Sequence, residues 1–350
     1  PLLMATLAVP SAVQASVDLI ATATIDGDLH DLATQTAAPL QNGVSGNLLG
    51  GIGSGLAYAG GTTFLALPDR GPNAISYAAS VDDTVSYIAR FQTLDLSLVI
   101  NDDPSATLPF TLTPTLCATT LLSSPTALVY GAAGLFTDDG QPLGSGAPAL
   151  NAVNHTYYFT GRSDNFDSSQ LSTYPKDARI DPESIRVSRD GAHVFVSDEY
   201  GPYVYEFNRE TGKRTNSFTL PDNLAISVLS PQKDVEIASN TVGRTTNKGM
   251  EGLAVTPDGQ LLVGIMQANL EQDKKKNLRI VTIDTRTGET HEYAYKLTDG
   301  SGVSDILAIN DHQFLVDERD GNGMADTPLL TDTASAAEVK KLFLIDLDGA

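Results

Sequence analysis

The chain has no tryptophan and a single cysteine, Cys117, in 350 residues. A lone cysteine excludes an intrachain disulfide and a cysteine-based metal site. Basic residues are scarce: 22 Lys and Arg face 43 Asp and Glu, giving a net charge of −21. Binding nucleic acid requires a basic surface, so no nucleic-acid partner is expected. No stretch past the N-terminus approaches the ~20 apolar residues that cross a bilayer, so no membrane span is expected either. Also absent are a Gly-x-Ser-x-Gly nucleophile elbow and a His-Glu-x-x-His pair, which removes two common hydrolytic mechanisms. So acidic a surface repels phosphates and carboxylates unless cations intervene. The excess of acid therefore points to bound divalent metal, or to solubility alone.

What is present is a recurring unit: an apolar strand, a tight turn, a second strand, then a charged cluster. It is clearest from Asp181-Pro182-Glu183-Ser184-Ile185 through Asp190-Gly191 to Val196-Ser197-Asp198-Glu199-Tyr200. It returns at Gly249-Met250-Glu251-Gly252-Leu253 with Asp258-Gly259, and at Ser304-Asp305-Ile306 with Asp317-Glu318-Arg319-Asp320. A looser copy joins Gly55-Leu56-Ala57-Tyr58 to Leu67-Pro68-Asp69-Arg70-Gly71. Strand-like alternation dominates, with little helical periodicity. Repeated antiparallel units of this kind predict an all-β fold, a β-propeller of five or six blades. The wide gap between the first two units leaves room for a further blade, with strands in Ala127-Leu128-Val129-Tyr130 and His155-Thr156-Tyr157-Tyr158-Phe159.

Residues 1–15 read as the remnant of a signal peptide, with an apolar Leu2–Val9 run and a small-residue Val13-Gln14-Ala15 cleavage site. Residues 16–350 read as one propeller domain lacking its C-terminal end, in a secreted or periplasmic protein.

Blades set equivalent loops around one rim, so charges distant in sequence can converge there. Asp69, Glu183, Asp198, Glu199, Glu251, Asp317, Glu318 and Asp320 are the candidate metal ligands, because Ca²⁺ takes oxygen donors. Glu183, Glu199, Glu251 and Glu318 are expected to gather near the central channel, joined by Asp69 and Asp320. Arg70 and Arg319 are the candidates for binding an anionic oxygen during catalysis. Taken singly, each cluster reads as a solvated turn with local Arg pairing; it is the recurrence at equivalent positions that points towards a shared site.

The motifs Asp181-Pro182-Glu183-Ser184, Ser197-Asp198-Glu199-Tyr200-Gly201-Pro202, Gly249-Met250-Glu251-Gly252-Leu253-Ala254 and Asp317-Glu318-Arg319-Asp320, with Asp69-Arg70-Gly71-Pro72-Asn73, resemble the phytase-like family, described as having "esterase-like activity of phytase". The resemblance runs from about Gly50 to the end. It implies an exported β-propeller related to calcium-dependent phytases, acting on a small anionic phosphoester. Ser184 stands where the Pro-Glu-Gly form of the motif has glycine. Two other readings stay open: a metal-dependent lactonase or carboxylesterase, and a non-catalytic ligand-binding propeller.

Overall fold

A computed structural model describes residues 18–132, 134–201, 203–321 and 339–350. The expected signal-peptide remnant, 1–15, lies outside the described residues. Strands form antiparallel meanders in which each follows its neighbour in sequence. The first sheet is β1 (Gly55–Gly60), β2 (Thr63–Leu67), β3 (Arg90–Ile100) and β4 (Phe110–Leu121). Pro114 is tolerated in β4 because that strand is the sheet's edge. A two-residue pair, β5 (Ser123–Ser124) with β6 (Tyr157–Tyr158), follows, with the five-residue helix α1 (Leu150–Asn154) between them.

The second sheet is β7 (Pro182–Val187), β8 (His193–Asp198), β9 (Tyr203–Asn208) and β10 (Arg214–Thr219). Helix α2 (Lys233–Ser239) lies in the connection to the third sheet: β11 (Met250–Val255), β12 (Leu261–Met266), β13 (Asn277–Asp284) and β14 (Thr290–Lys296). The last sheet has three strands, β15 (Gly302–Ala308), β16 (Gln313–Arg319) and β17 (Lys340–Asp346).

The apolar core lies between the sheets. Leu65, Phe91, Ile185, Val196 and Tyr205 join the first to the second. Phe195, Val204, Leu253, Leu262 and Val281 join the second to the third. Ala254, Val263, Ile280, Ile306 and Phe314 join the third to the fourth. Innermost strands approach closely where a side chain is missing. A Cβ on Gly55 would stand 2.9 Å from the Ile185 nitrogen, and one on Gly252 2.8 Å from the Ile306 nitrogen.

This is a β-propeller arrangement with four blades among the described residues, where five or six were expected. The extra blade fails for a physical reason: β1 packs directly on β7. The segment between β4 and β7 adds Leu122, Leu128, Phe159 and Ile180 to the same core cluster but makes no sheet beyond the two-residue β5–β6 pair. Residues 127–130 form no strand, and the only strand in 155–159 is the two-residue β6.

The register fixes which residues are equivalent. Leu56 pairs with Ala66, Ile185 with Val196, Leu253 with Gly264 and Ile306 with Val316. At this shared position Ile185, Leu253 and Ile306 are fully buried against the preceding blade, whereas Leu56 is 54% exposed. At the next position but facing the other way, Ala57, Arg186 and Ala254 are buried and Leu307 is 53% exposed. Among the described residues the four blades thus have three filled interfaces, with Leu56 and Leu307 exposed on the outer faces of the first and last.

Candidate metal centre on the acidic rim

Two repeat positions build the site. Two residues before the Leu56/Ile185/Leu253/Ile306 position stand Ser54, Glu183, Glu251 and Ser304. Three residues after the partner position stand Asp69, Glu199, Gln267 and Arg319. In the second and third blades the ladder shifts register at Glu183 and at Glu251. Such bulges re-aim side chains, here towards the strand ends of the rim.

The result is two overlapping groups of carboxylates. Asp69, Asp181 and Glu183 form one, and Glu183, Glu199 and Glu251 the other; within each group one oxygen per residue lies within 4.8 Å of the rest. Glu183 belongs to both. One oxygen of Glu199 accepts the Gly249 N–H at 2.9 Å, and Gln267 donates to Glu251 at 2.7 Å. Arg319 stands 3.6 Å from the other Glu251 oxygen. Arg70 donates through Nη1 to both Asp181 and Asn247. Asp181 is buried, and its Oδ1 has no hydrogen-bond partner.

Burial and mutual repulsion govern protonation here. Burial, then Glu199, Asp181, Glu251 and Asp69, push the Glu183 carboxyl well above its ordinary range. Burial does the same to Asp181 despite the opposing charge of Arg70. Glu199 is raised by burial, with Arg70 and Arg244 opposing. Glu251 is pushed up to about 8 by burial and by Glu199. For Arg70 burial works against the charge, but Asp181 and its acidic neighbours raise the guanidinium well above its usual value. Without a cation the cluster therefore holds protons at neutral pH.

Behind Glu199, the carbonyl of Tyr200 accepts from Arg244 Nε at 3.0 Å. Arg244 also pairs with Glu236 of α2 at 3.1 Å, and Glu236 with Arg179 at 3.4 Å. These two arginines draw the buried Glu236 below its normal range against the effect of burial. A cavity of about 270 Å³, lined among others by Arg70, Tyr200, Lys233, Thr246 and Asn247, opens beside this network.

Of the eight sequence-derived ligand candidates, Asp69, Glu183, Glu199 and Glu251 come together. Asp198 does not join them: its Oδ1 accepts the N–H groups of Asp181 and Tyr200, at 2.9 and 3.0 Å. Glu318 is fully engaged by the Tyr295 hydroxyl and the N–H groups of Thr298, Asp299 and Gly300. The register explains the difference. Glu318 pairs with Val303 as Asp198 pairs with Pro182, so Arg319, not Glu318, is the counterpart of Glu199. Asp317 points to the opposite face of β16 from Glu318, with its carboxyl raised by burial beside Lys340 and Asp305. Asp320 accepts the Val339 N–H and pairs with Lys340 at 3.3 Å.

Asp181 was within a recognised motif but had no assigned role; its signal was an acid two residues before Glu183. Gln267 was readable as the residue standing where another unit has Glu199, whereas Arg244, Asn247 and Glu236 carried no readable signal, because all three lie in a connection outside the repeat.

Blades that gather carboxylates from their strand ends define a propeller with an acidic rim site. The chain belongs to the phytase-like family: the family described as "Phytase-like: Esterase-like activity of phytase" matches residues 47–350. An "Uncharacterized secreted protein" of Arthroderma benhamiae is 29% identical over 339 residues, covering 79% of this chain. The chain spans 60% of that relative's length. Among solved structures, Kuenenia stuttgartiensis hydrazine synthase overlaps 83% of this chain and 62% of its own, at 11% identity and a TM-score of 0.34. A putative 6-phosphogluconolactonase from Bacteroides uniformis overlaps 84% and 86%, at 11% identity and a TM-score of 0.27. Overlaps at those scores support no inference about function. No helix among the described residues is long and apolar enough to cross a membrane.

Proposed function

We propose that this protein is an exported, calcium-dependent phosphoester hydrolase. The observation that carries the reading is the gathering of four carboxylates around that of Glu183, with the buried Asp181 Oδ1 left without a protein partner. An all-oxygen donor set of this kind suits a hard cation such as Ca²⁺, which takes roughly six to eight oxygen ligands. Asp69, Asp181, Glu183, Glu199 and Glu251 would hold it, Glu183 being common to both groups. A bound cation supplies positive charge for an anionic phosphate and makes water more acidic.

The chain's own residues divide the remaining work. Arg70, tied to Asp181 and Asn247, orients Asp181 and is not free to follow a substrate. Anion binding therefore falls to Arg319, which is partly exposed and only loosely paired with Glu251. Gln267 and Gly249 fix the orientations of Glu251 and Glu199. Export is supported by the N-terminal apolar run and by the secreted description of the Arthroderma relative.

The test is a panel of phosphomonoesters, phosphodiesters, lactones and carboxylesters, assayed after chelation and after Ca²⁺ is restored. Phosphoester hydrolysis that is lost on chelation and recovered with Ca²⁺ is expected. Turnover confined to lactones or carboxylesters contradicts the substrate class. Phosphoester turnover that survives chelation contradicts the metal.

A further inference from the structure

The cavity of about 270 Å³ beside the Arg244–Glu236 pair contains none of the clustered rim carboxylates. It is smaller than the roughly 300–1,000 Å³ of sites for drug-sized molecules, so its occupant is a single ring or a short chain. Its buried polar side chains are spoken for. Glu236 accepts the Thr246 hydroxyl at 2.7 Å and the Ser230 N–H at 3.2 Å, and the Ser163 hydroxyl donates to the Pro231 carbonyl at 2.8 Å.

Its accessible side chains are not. Arg70 commits Nη1 to Asp181 and Asn247, and its Nε is buried. Nη2 is left accessible and without a protein partner, on a side chain that is 17% exposed. Asn247 gives Oδ1 to Arg70 and leaves Nδ2 accessible and unpaired. Lys233 and Asp234 are exposed, and neither side chain has a partner. Asp82 accepts the Lys233 N–H through Oδ2 at 2.5 Å and leaves Oδ1 without a partner. Burial raises the Asp82 carboxyl; the Lys233 N–H and the Arg70 charge oppose the rise, Asp234 adds to it, and the Lys233 charge opposes it. These four charged groups therefore face one another across the cavity. The backbone adds an independent sign. Asp82 and Asn247 both sit in the left-handed region, at φ 50° and 60°. Asp and Asn tolerate that region better than most residues, yet it is sparsely populated, and residues held there cluster at ligand sites.

We infer that this cavity binds a neutral polyhydroxylated group, a sugar or polyol. Its oxygens accept from Arg70 Nη2, Asn247 Nδ2 and Lys233 Nζ, and its hydroxyls donate to Asp82 and Asp234. A hydroxyl both donates and accepts, so vicinal hydroxyls suit donors set beside carboxylates. Two cations here face two anions, so an ionic ligand gains no net attraction. Arg70 links the cavity to Asp181 of the rim cluster, which makes the bound group the alcohol portion of a phosphoester. That role rests on the function proposed above; the binding does not.

Ligand-observed NMR on the full chain, with D-glucose as the probe, tests the assignment. Saturable binding is expected, with Kd on the order of 1 mM, and D-glucuronate and D-glucosamine should compete at least fivefold more weakly than unlabelled glucose. Asn247→Gly keeps the left-handed backbone, removes Nδ2 and should weaken glucose at least fivefold. Should that variant fail to fold, Lys233→Met removes an exposed ammonium that has no partner and should weaken glucose at least threefold. Absence of saturable glucose binding, or binding unchanged in Lys233→Met, overturns the site. Glucuronate or glucosamine displacing glucose at equal or lower concentration overturns the neutral class. Glucose binding of the expected kind in a chain that hydrolyses no phosphoester supports the pocket and contradicts only the function proposed above.

Discussion

Asp198 and Glu318 occupy the same position of their blades, and each spends its carboxylate on the backbone that leads into its own blade. Asp198 receives the Asp181 N–H, and Glu318 receives three successive N–H groups from Thr298 to Gly300. Hydrogen bonds and burial have opposite effects on the acids, and for Glu318 the bonds from Tyr295 and the 298–300 backbone lower the carboxyl's pKa. Glu318→Gln places an amide where one oxygen now meets two donors. We expect a loss of roughly 2–3 kcal/mol, measured by equilibrium urea unfolding, with calcium affinity unchanged.

Equivalent positions in different blades should respond differently to truncation. Ile185→Ala opens a cavity inside a filled interface and should cost about 2–5 kcal/mol. Leu56→Ala, at the same repeat position but on an uncovered face, should stay within about 0.5 kcal/mol. Parallel denaturation curves for the two variants check this directly.

Asp177 sets a pH dependence away from the rim cluster. Its Oδ1 accepts the Asp167 N–H at 2.9 Å, but Oδ2 is buried without a partner, and burial pushes the carboxyl up to about 7. The folded state therefore binds this proton more tightly than the unfolded chain. That contribution is full below the ordinary carboxyl range and is lost as pH rises through about 7. Asp177→Asn removes the buried charge. The variant should gain stability over the parent at pH 8, on the order of 2–4 kcal/mol, and little or none at pH 4. Thermal unfolding of both proteins across that range gives the readout.

Arg70 and Arg319 should separate kinetically. Arg319→Ala removes the partly exposed cation and should raise KM for an anionic substrate, with calcium affinity nearly unchanged. Arg70→Ala strips Asp181 of its partner and should weaken calcium binding itself. Calorimetry alongside steady-state kinetics distinguishes the two effects.

Strand periodicity made the blades legible in the sequence, because each unit alternates apolar residues over a short span, and the second and third turn at Asp190-Gly191 and Asp258-Gly259. Blade number was not legible: the gap before Asp181 is long enough for a blade, and only the packing of Gly55 against Ile185 rules one out there. Glu183, Glu199 and Glu251 were readable because they repeat. Glu318 misled because matching Asp317-Glu318 to Asp198-Glu199 by type slips the strand by one residue, which on a β-strand exchanges the faces. The Arg244–Glu236 pair lies in a connection outside the repeat, for which a repeat pattern carries no signal.

The central claim is that the carboxylates around Glu183 are a cation site. Calcium titration by calorimetry, of the wild type and of Glu183→Gln, in two buffers of different ionisation enthalpy, tests it most directly. The account predicts saturable binding with net proton release in the wild type, because a cation displaces the protons that crowding retains, and loss of both in Glu183→Gln with the fold intact. Calcium binding of equal affinity and proton release in the two proteins would contradict it.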